Sequence, residues 1–381
     1  MKLMHLGDLH FGKIVNEFRM IDDQRYILEK LLGIVDERGI DVVMIAGDVY
    51  DKNVPSEDAV NLFDFFLAEL AGRNVKVLVI SGNHDSDDRL HFGSKLFEAR
   101  GVYITGKYDG VIPKVTLTDE YGEVDFYSLP FVKASQVAHF HPELDTDTYD
   151  KAVRAAISTC DIDESRRNVI LAHQFVTAGS ADPMLSGSEI IREDTVGTVE
   201  KVGASAFDQF DYVALGHIHR PQKVGREEVR YSGSPLKYSL SEINNNKSVP
   251  VITLKNKGEC DIELVELKPL RDMRHIKGTI EQLLNPLNVT DTDDYIYVTL
   301  TDENTVPDAM GRIHQVYPYA MKLDYDNKHS RELRNMDFND YAESKTFEEL
   351  IGDFYKDMYG DDPEDAEWEI LKEAAREAGI I

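Results

Sequence analysis

Five short stretches of the chain gather residues that bind metal ions. They are Gly7-Asp8-Leu9-His10, Gly47-Asp48, Gly82-Asn83-His84-Asp85, Ala172-His173 and Gly216-His217-Ile218-His219. Together they offer imidazole nitrogen, carboxylate and amide oxygen, and no thiolate. That mixture suits Mn²⁺, Fe²⁺ or Zn²⁺ better than a Ca²⁺ site or a cysteine-bound structural zinc. Asp8 and His10 stand two residues apart, so at a strand exit they can face the same way, and the same holds for His217 and His219. A carboxylate such as Asp48 can give one oxygen to each of two metals, and Asn83 adds a ligand without adding charge. Two metals about 3.5–4 Å apart activate water and stabilise both oxygens of an in-line phosphoryl displacement. His84 points away from Asn83 and is placed to protonate a leaving oxygen or to stabilise charge as it forms there. Asp85 is expected to orient His84 or His10 from behind.

Each stretch ends an apolar run: Leu3 to Leu6, Val42 to Ala46, Val75 to Ile80, Asn168 to Leu171 and Tyr212 to Leu215. Short β-branched runs of this kind read as buried strands of an α/β sheet. Open α/β sheets bind ligands just beyond the carboxyl ends of their strands. A lone Asp-x-His is usually a turn, and a lone His-x-His is usually a surface strand. Five such clusters, each at a strand end, point instead to one dinuclear phosphoesterase site.

The elements between the clusters fill in the architecture. Asp22 to Arg38 and Ser56 to Gly72 read as helices, the second capped by Ser56, and His91 to Gly101 as a third. Val111 to Pro130 and Val224 to Leu267 read as strand-rich, with turns at Tyr121-Gly122-Glu123 and Asn256-Lys257-Gly258. The expected fold is α/β: two sheets face to face, flanked by helices, over residues 1–268. Residues 269–328 read as a small α/β accessory domain, with a helix over Val306 to Tyr317 and a strand over Ala320 to Tyr325. Residues 329–381 read as acidic and helical. Thr346 and Glu349 form a capping box there, ahead of an apolar stripe at Phe347, Leu350, Ile351, Phe354, Tyr355 and Met358. A last helix begins after Asp362-Pro363 and carries Trp368, Leu371, Ala375 and Ala378 on one side.

Composition sets the outer limits. No apolar stretch approaches the ~18 residues of a membrane span, and Met1 enters the first strand directly, so a cytosolic protein is expected. Cys160 and Cys260 lie far apart with no CxxC pattern and are expected to be reduced. The net charge of −28 argues, taken alone, against nucleic acid. Screening over roughly 8 Å makes the local field the deciding one, however, and two divalent cations would make the site itself positive. The acidity is uneven, with a balance of −10 between Arg331 and Ile381 alone.

The order D-x-H, G-D, G-N-H-D, H, G-H-x-H resembles that of the calcineurin-like metallophosphoesterases. Within them the chain is similar to the bacterial SbcD nuclease family. The distinguishing stretches are His5 to Lys13, Leu215 to Gln222 and Tyr231 to Ser239, the last containing Gly233-Ser234-Pro235. The resemblance implies that Asp8, His10, Asp48 and His219 hold one metal. Asp48, Asn83, His173 and His217 would hold the other, with Asp48 bridging and His84 as the catalytic histidine. It further implies a Mn²⁺-dependent nuclease, 3′–5′ exonucleolytic on double-stranded DNA ends and endonucleolytic on single strands or hairpins. Such a nuclease works as a homodimer within a heterotetramer with the coiled-coil ATPase SbcC, in the cytoplasm at the nucleoid. The accessory domain would help position DNA, and the C-terminal helices would dock on the ATPase. Aromatics on the Ser56 to Gly72 helix fit core packing or homodimer contact. Archaeal and eukaryotic relatives tend to carry a second histidine three residues after the bridging aspartate, where this chain has Asp51.

Other readings compete: a metallophosphatase or small-molecule phosphodiesterase using the same metals, and a catalytically silent scaffold. Ser/Thr phosphatases of the superfamily resemble Gly-Asp-x-x-Asp-Arg-Gly followed by Gly-Asn-His-Glu. Here Lys52 and Asn53 replace the arginine and glycine, and Asp85 replaces the glutamate. A cyclic-nucleotide phosphodiesterase fits the motifs but has no need of two C-terminal modules. A catalytically silent scaffold should have lost ligands, and this chain keeps every one. Lys13, Arg89, Arg192, Arg220 and Lys237 are basic residues near the site loops and candidates for phosphate contact.

Overall fold

A computed structural model describes residues 1–179, 181–186, 201–327, 346, 349–352, 355 and 362–377. In chain order its early strands are β1 (Lys2–Leu6), the hairpin β2 (Ile14–Val15) and β3 (Phe18–Arg19), β4 (Val42–Ala46), β5 (Lys76–Ile80) and β6 (Val102–Thr105). Then come β7 (Lys114–Asp119), β8 (Gly122–Leu129), β9 (Arg167–His173), β10 (Phe175–Thr177), β11 (Lys201–Gly203) and β12 (Tyr212–Gly216). β13 (Gln222–Val224), β14 (Arg226–Tyr231), β15 (Ser248–Leu254) and β16 (Cys260–Glu266) follow, and β17 (Met273–Gly278), β18 (Tyr295–Leu300) and β19 (Ala320–Tyr325) close the series.

Two six-stranded mixed sheets carry the site. One runs β16-β15-β1-β4-β5-β6 and the other β13-β14-β12-β9-β8-β7. β1, β4, β5 and β6 are mutually parallel, as are β8, β9, β12 and β14, so within each sheet their carboxyl ends emerge at one edge. Alternation along the strands explains three apolar layers. Leu3, Val42, Met44, Leu78 and Ile80 meet Val124, Phe126, Val169, Leu171, Tyr212 and Ala214 between the sheets. The opposite face of the first sheet packs Met4, Leu6, Val43 and Ile45 against helices α1 (Ile21–Arg38) and α2 (Glu57–Gly72). Helices α3 (Asp87–His91), α4 (Ser94–Glu98), α5 (Ala134–Phe140) and α6 (Tyr149–Ser158) follow in the chain, and α6 buries Ala152, Val153 and Ala156 with the outer face of the second sheet.

The first two helices match the sequence reading, including the cap, where Ser56 Oγ accepts from Ala59 N at 3.3 Å. The third does not. His91 to Gly101 is not one helix: α3 and α4 are separated at Phe92-Gly93, because Gly93 adopts a left-handed φ of +79°. The accessory helix is also shorter than expected. Helix α7 (Ile280–Leu283) is followed by α8, which covers Ala309–His314 alone.

The chain divides into two compact units. The first comprises Met1–Ile276, Thr290–Val298 and His314–Lys322. The second comprises Lys277–Val289, Thr299–Ile313 and Leu323–Ile381. β17, β18 and β19 form a three-stranded sheet in that order. In the second unit Thr301 N donates to Gly278 O at 3.0 Å, and Ile280 N donates to the Asp302 carboxylate at 2.9 Å. The capping box at Thr346 is formed, with reciprocal bonds to Glu349 of 2.7 and 3.3 Å. Helix α9 (Asp365–Glu377) follows. Phe347, Phe354, Met358 and Ala378 lie outside the described residues, as does Arg192.

Candidate metal centre

All five motif stretches converge at the carboxyl ends of β1, β4, β5, β9 and β12. Backbone bonds knit their exits together. Asp8 N donates to Gly47 O at 3.1 Å, His10 N to Asp48 O at 2.9 Å and Phe11 N to Val49 O at 2.8 Å. Asp8, His10, Asp48 and His217 all have positive φ, at 53°, 44°, 48° and 98°. Non-glycine residues rarely accept that conformation, and strain of this kind concentrates where surrounding structure must aim a side chain. Gly47, at φ +87°, shows how tight the site is. A Cβ there would stand 2.3 Å from His173 Nδ1.

The side chains form two clusters that share one oxygen. In the first, His10 Nε2 and His219 Nε2 are 3.0 Å apart, and Asp8, His10 and His219 bring a donor atom each within 4.8 Å of one another. In the second, Asn83 Oδ1 lies 3.1 Å from His173 Nε2 and 3.0 Å from His217 Nδ1. Asp48 Oδ2 stands between them, 3.6 Å from His10 Nε2 and 3.4 Å from His173 Nε2. Its other oxygen accepts from His84 N at 2.9 Å. Asp8 Oδ1 accepts from His217 N at 2.9 Å, which ties the first sheet's loop to the second sheet's. Asp8, His10, Asp48, His173, His217 and His219 are all buried, while Asn83 and His84 are half-buried at the mouth.

The state of its polar atoms shows that the donor set fits divalent cations. Asp8 Oδ2 is buried without a hydrogen-bond partner. His173 Nδ1 donates to Ala46 O at 2.8 Å, which turns its Nε2 toward Asp48 and Asn83. Nδ1 of His10 faces the Asp51 carboxylate and Nδ1 of His219 the Glu242 carboxylate, each at 3.7 Å, and these neighbours favour the tautomers that turn the two Nε2 lone pairs toward each other. Opposed lone pairs and carboxylates at these distances repel unless a positive charge lies among them.

Electrostatics prepare His10, His217 and Asp48 in the forms metals require, while Asp8 and His173 are drawn toward their protonated forms. Burial pushes His10 well below its ordinary pKa, and burial with the neighbouring His173 takes His217 down to about 3, so both rings are neutral. Burial works against charge on Asp48, yet His173 and His10 beside it hold its carboxyl well below the usual range. Burial likewise opposes charge on His173, but the Asp48 carboxylate raises its pKa to about 9. Burial pushes Asp8 up.

Four further residues brace the site. Asp85 does not orient His84 or His10. Both its oxygens are taken by backbone donors, Val49 N at 3.1 Å, Tyr50 N at 2.9 Å and Gly82 N at 2.9 Å. One carboxylate thereby pins the β4 and β5 exits together, because buried N–H groups there have no strand partner. His84 is oriented instead by the Asp51 carbonyl, 3.1 Å from Nδ1. Gln24 Nε2 donates to His10 O at 2.8 Å, and Tyr238 Oη donates to Leu9 O at 2.5 Å. Sequence reasoning gives no role to Gln24, Asp51, Tyr238 or Glu242. Tyr238 lies inside the Gly-Ser-Pro stretch, which is the one signal that could have found it. Of the basic candidates, Lys13 pairs with Asp51 at 2.7 Å beside the site, while Lys237 is tied to Asp272 at 2.8 Å.

The sequence model of the calcineurin-like phosphoesterase family matches residues 1–221. A second, described as type 5 capsule protein repressor C-terminal domain, matches residues 269–359. The chain is 32% identical over 365 residues to a Staphylococcus epidermidis protein whose name is that of the D component of the nuclease SbcCD, covering 94% of this chain and 93% of that one. A crystal structure of a dimetal phosphatase from Danio rerio shares 12% identity over 70% of this chain and 99% of its own, with a TM-score of 0.37. The chain belongs to the calcineurin-like phosphoesterases, in the branch of the SbcD nucleases. Its buried aspartate and histidine clusters make a dimetal phosphoesterase site.

Proposed function

We propose that this chain is the nuclease component of an SbcCD-type complex and hydrolyses DNA phosphodiester bonds with two Mn²⁺ ions. Its action is 3′–5′ exonucleolytic on double-stranded ends and endonucleolytic on single strands and hairpins. The observation that carries the reading is the placement of Asp48 Oδ2 between the imidazoles of His10 and His173. Asp8, His10, Asp48 and His219 are assigned to one ion, and Asp48, Asn83, His173 and His217 to the other. Bound there, two divalent cations supply Lewis acidity and a lowered pKa for water. The protein's own part is to hold the scissile phosphate against these ligands and to deliver a proton. His84 is suited to the second task. Its Nδ1–H is held by the Asp51 carbonyl, so Nε2 is the nitrogen free to act on the leaving oxygen, and it is the doubly protonated ring that gives a proton there and returns to the neutral Nδ1–H form.

The relative's name and the match to residues 269–359 support a partner and a division of labour. The assigned partner is an SbcC-like coiled-coil ATPase, in a heterotetramer built on a dimer of this chain. Residues 269–328 are assigned to positioning DNA and residues 329–381 to docking the ATPase. Among the described residues no helix is long and apolar enough to cross a membrane. A cytoplasmic location at the nucleoid fits the substrate.

The test is degradation of an end-labelled linear duplex in Mn²⁺, with EDTA and Asp48→Asn as controls, run with and without the ATPase and ATP. Shortening that needs Mn²⁺ and Asp48 is expected. Cleavage of cyclic nucleotides with none of DNA in either arrangement would favour the small-phosphodiester reading.

A further inference from the structure

Behind His219 lies a buried ion pair. Glu242 ends a short 3₁₀ turn, Leu240–Glu242, just after the Gly-Ser-Pro stretch. Its Oε1 faces His219 Nδ1 at 3.7 Å, and its Oε2 pairs with Lys247 Nζ. Lys247 Nζ also donates to the carbonyl of His219 at 2.9 Å and to Ser234 Oγ at 2.8 Å. The side chain of Glu242 is 0% exposed and that of Lys247 3%. Burial opposes charge on Glu242, yet His219 and Lys247 hold its pKa down to about 2.

Stability alone does not account for this arrangement. Burying two charges costs several kcal/mol per ion, and apolar replacements of buried pairs are often as stable. The pair does, however, grip one histidine at two points: Glu242 meets the outer ring nitrogen, and Lys247 holds the backbone carbonyl of the same residue. The other imidazoles are braced differently. His173 uses the Ala46 carbonyl, and the Asp51 carboxylate near His10 is 11% exposed and shared with Lys13.

We infer that Glu242 is a positioning residue for the metal centre, the carboxylate of a carboxylate–imidazole–metal relay through His219, with Lys247 fixing that carboxylate in place. The inference rests on the reading of His219 as a metal ligand. A carboxylate on the outer nitrogen locks the tautomer and the ring orientation and raises ligand basicity. The effect falls on the ion held by His219 and spares the one held by Asn83, His173 and His217.

The experiment is calorimetric titration of Mn²⁺ into chelator-stripped full-length protein, with urea denaturation of the same metal-free samples. Glu242→Gln is made alone and together with Lys247→Met, since the single change leaves a buried ammonium without its carboxylate. A folded variant is expected to bind two ions, with one event weakened about 10–100-fold and the other at parental affinity. Parental affinity at both events, or equal weakening of both, overturns the inference. If neither variant folds, the pair is structural and the inference also falls. His219→Ala separates the two readings: it should weaken one event, and if it leaves both at parental affinity the ligand reading of His219 is itself wrong.

Discussion

Replacing Gly47 by alanine tests whether the site's backbone is as constrained as its geometry implies. Two separable costs are expected. A side chain at φ +87° costs about 1–2 kcal/mol, the penalty for the left-handed region. The new Cβ would also stand 2.3 Å from His173 Nδ1, 2.8 Å from its Cγ and 3.0 Å from Gly82 Cα, closer than real contacts allow. Relieving such overpacking costs about 1–3 kcal/mol more. Gly39→Ala isolates the first cost, because Gly39 has φ +63° and no atom within 4 Å of an added Cβ. Urea denaturation of chelator-stripped protein should therefore show a loss of about 2–5 kcal/mol for Gly47→Ala. Gly39→Ala should lose about 1–2 kcal/mol. Retreat of the His173 ring also strains its bond to Ala46 O, so Mn²⁺ affinity should fall in the first variant and not in the second. Equal losses in the two variants, with metal binding unchanged, would refute the packing argument.

Other perturbations probe separate parts of the account. His84→Ser should keep both metals by mass-spectrometric analysis and lower DNA cleavage about 10²–10⁴-fold, the range for a general acid; loss of metal would make His84 structural. At Asp119 burial opposes the charge, but the Arg167 guanidinium, at 2.5 and 3.1 Å, holds the carboxyl well below its usual range. A depressed folded pKa gives stability that is complete above the unfolded value, near 4, and is lost as pH falls through the folded one. Asp119→Asn should thus cost about 2 kcal/mol at pH 7, with the gap to the parent closing progressively below about pH 4–5 in urea denaturation.

The parts of the site that are legible in sequence are those where one strand end delivers several ligands at once. Asp8 with His10, Asn83 with His84, and His217 with His219 each betray themselves because two functional side chains and a glycine crowd into one turn. His173 has no such neighbour and is legible through the apolar run before it and the order of the other motifs. The bracing residues are not legible, for a related reason. Glu242 follows Ser239-Leu240-Ser241, and Gln24 sits in the first turns of α1, where a polar residue is ordinarily solvent-facing. Their roles come from long-range packing, across 23 residues from His219 to Glu242 and 14 from His10 to Gln24. Asp85 is recognisable as part of its turn, but its partners are not, since the need for a carboxylate to satisfy three N–H groups exists only once β4 and β5 lie side by side. The same limit explains the third helix. Helical spacing of apolar residues does not reveal that Gly93 will take a left-handed turn inside it.

Asp48 is proposed to join two metals, each held by ligands from both sheets of the sandwich. The most direct measurement is anomalous diffraction at the manganese edge from crystals of the full chain grown with Mn²⁺. Two peaks are predicted on either side of Asp48, one against Asp8, His10 and His219 and the other against Asn83, His173 and His217. A single peak, or peaks away from Asp48, would contradict the account.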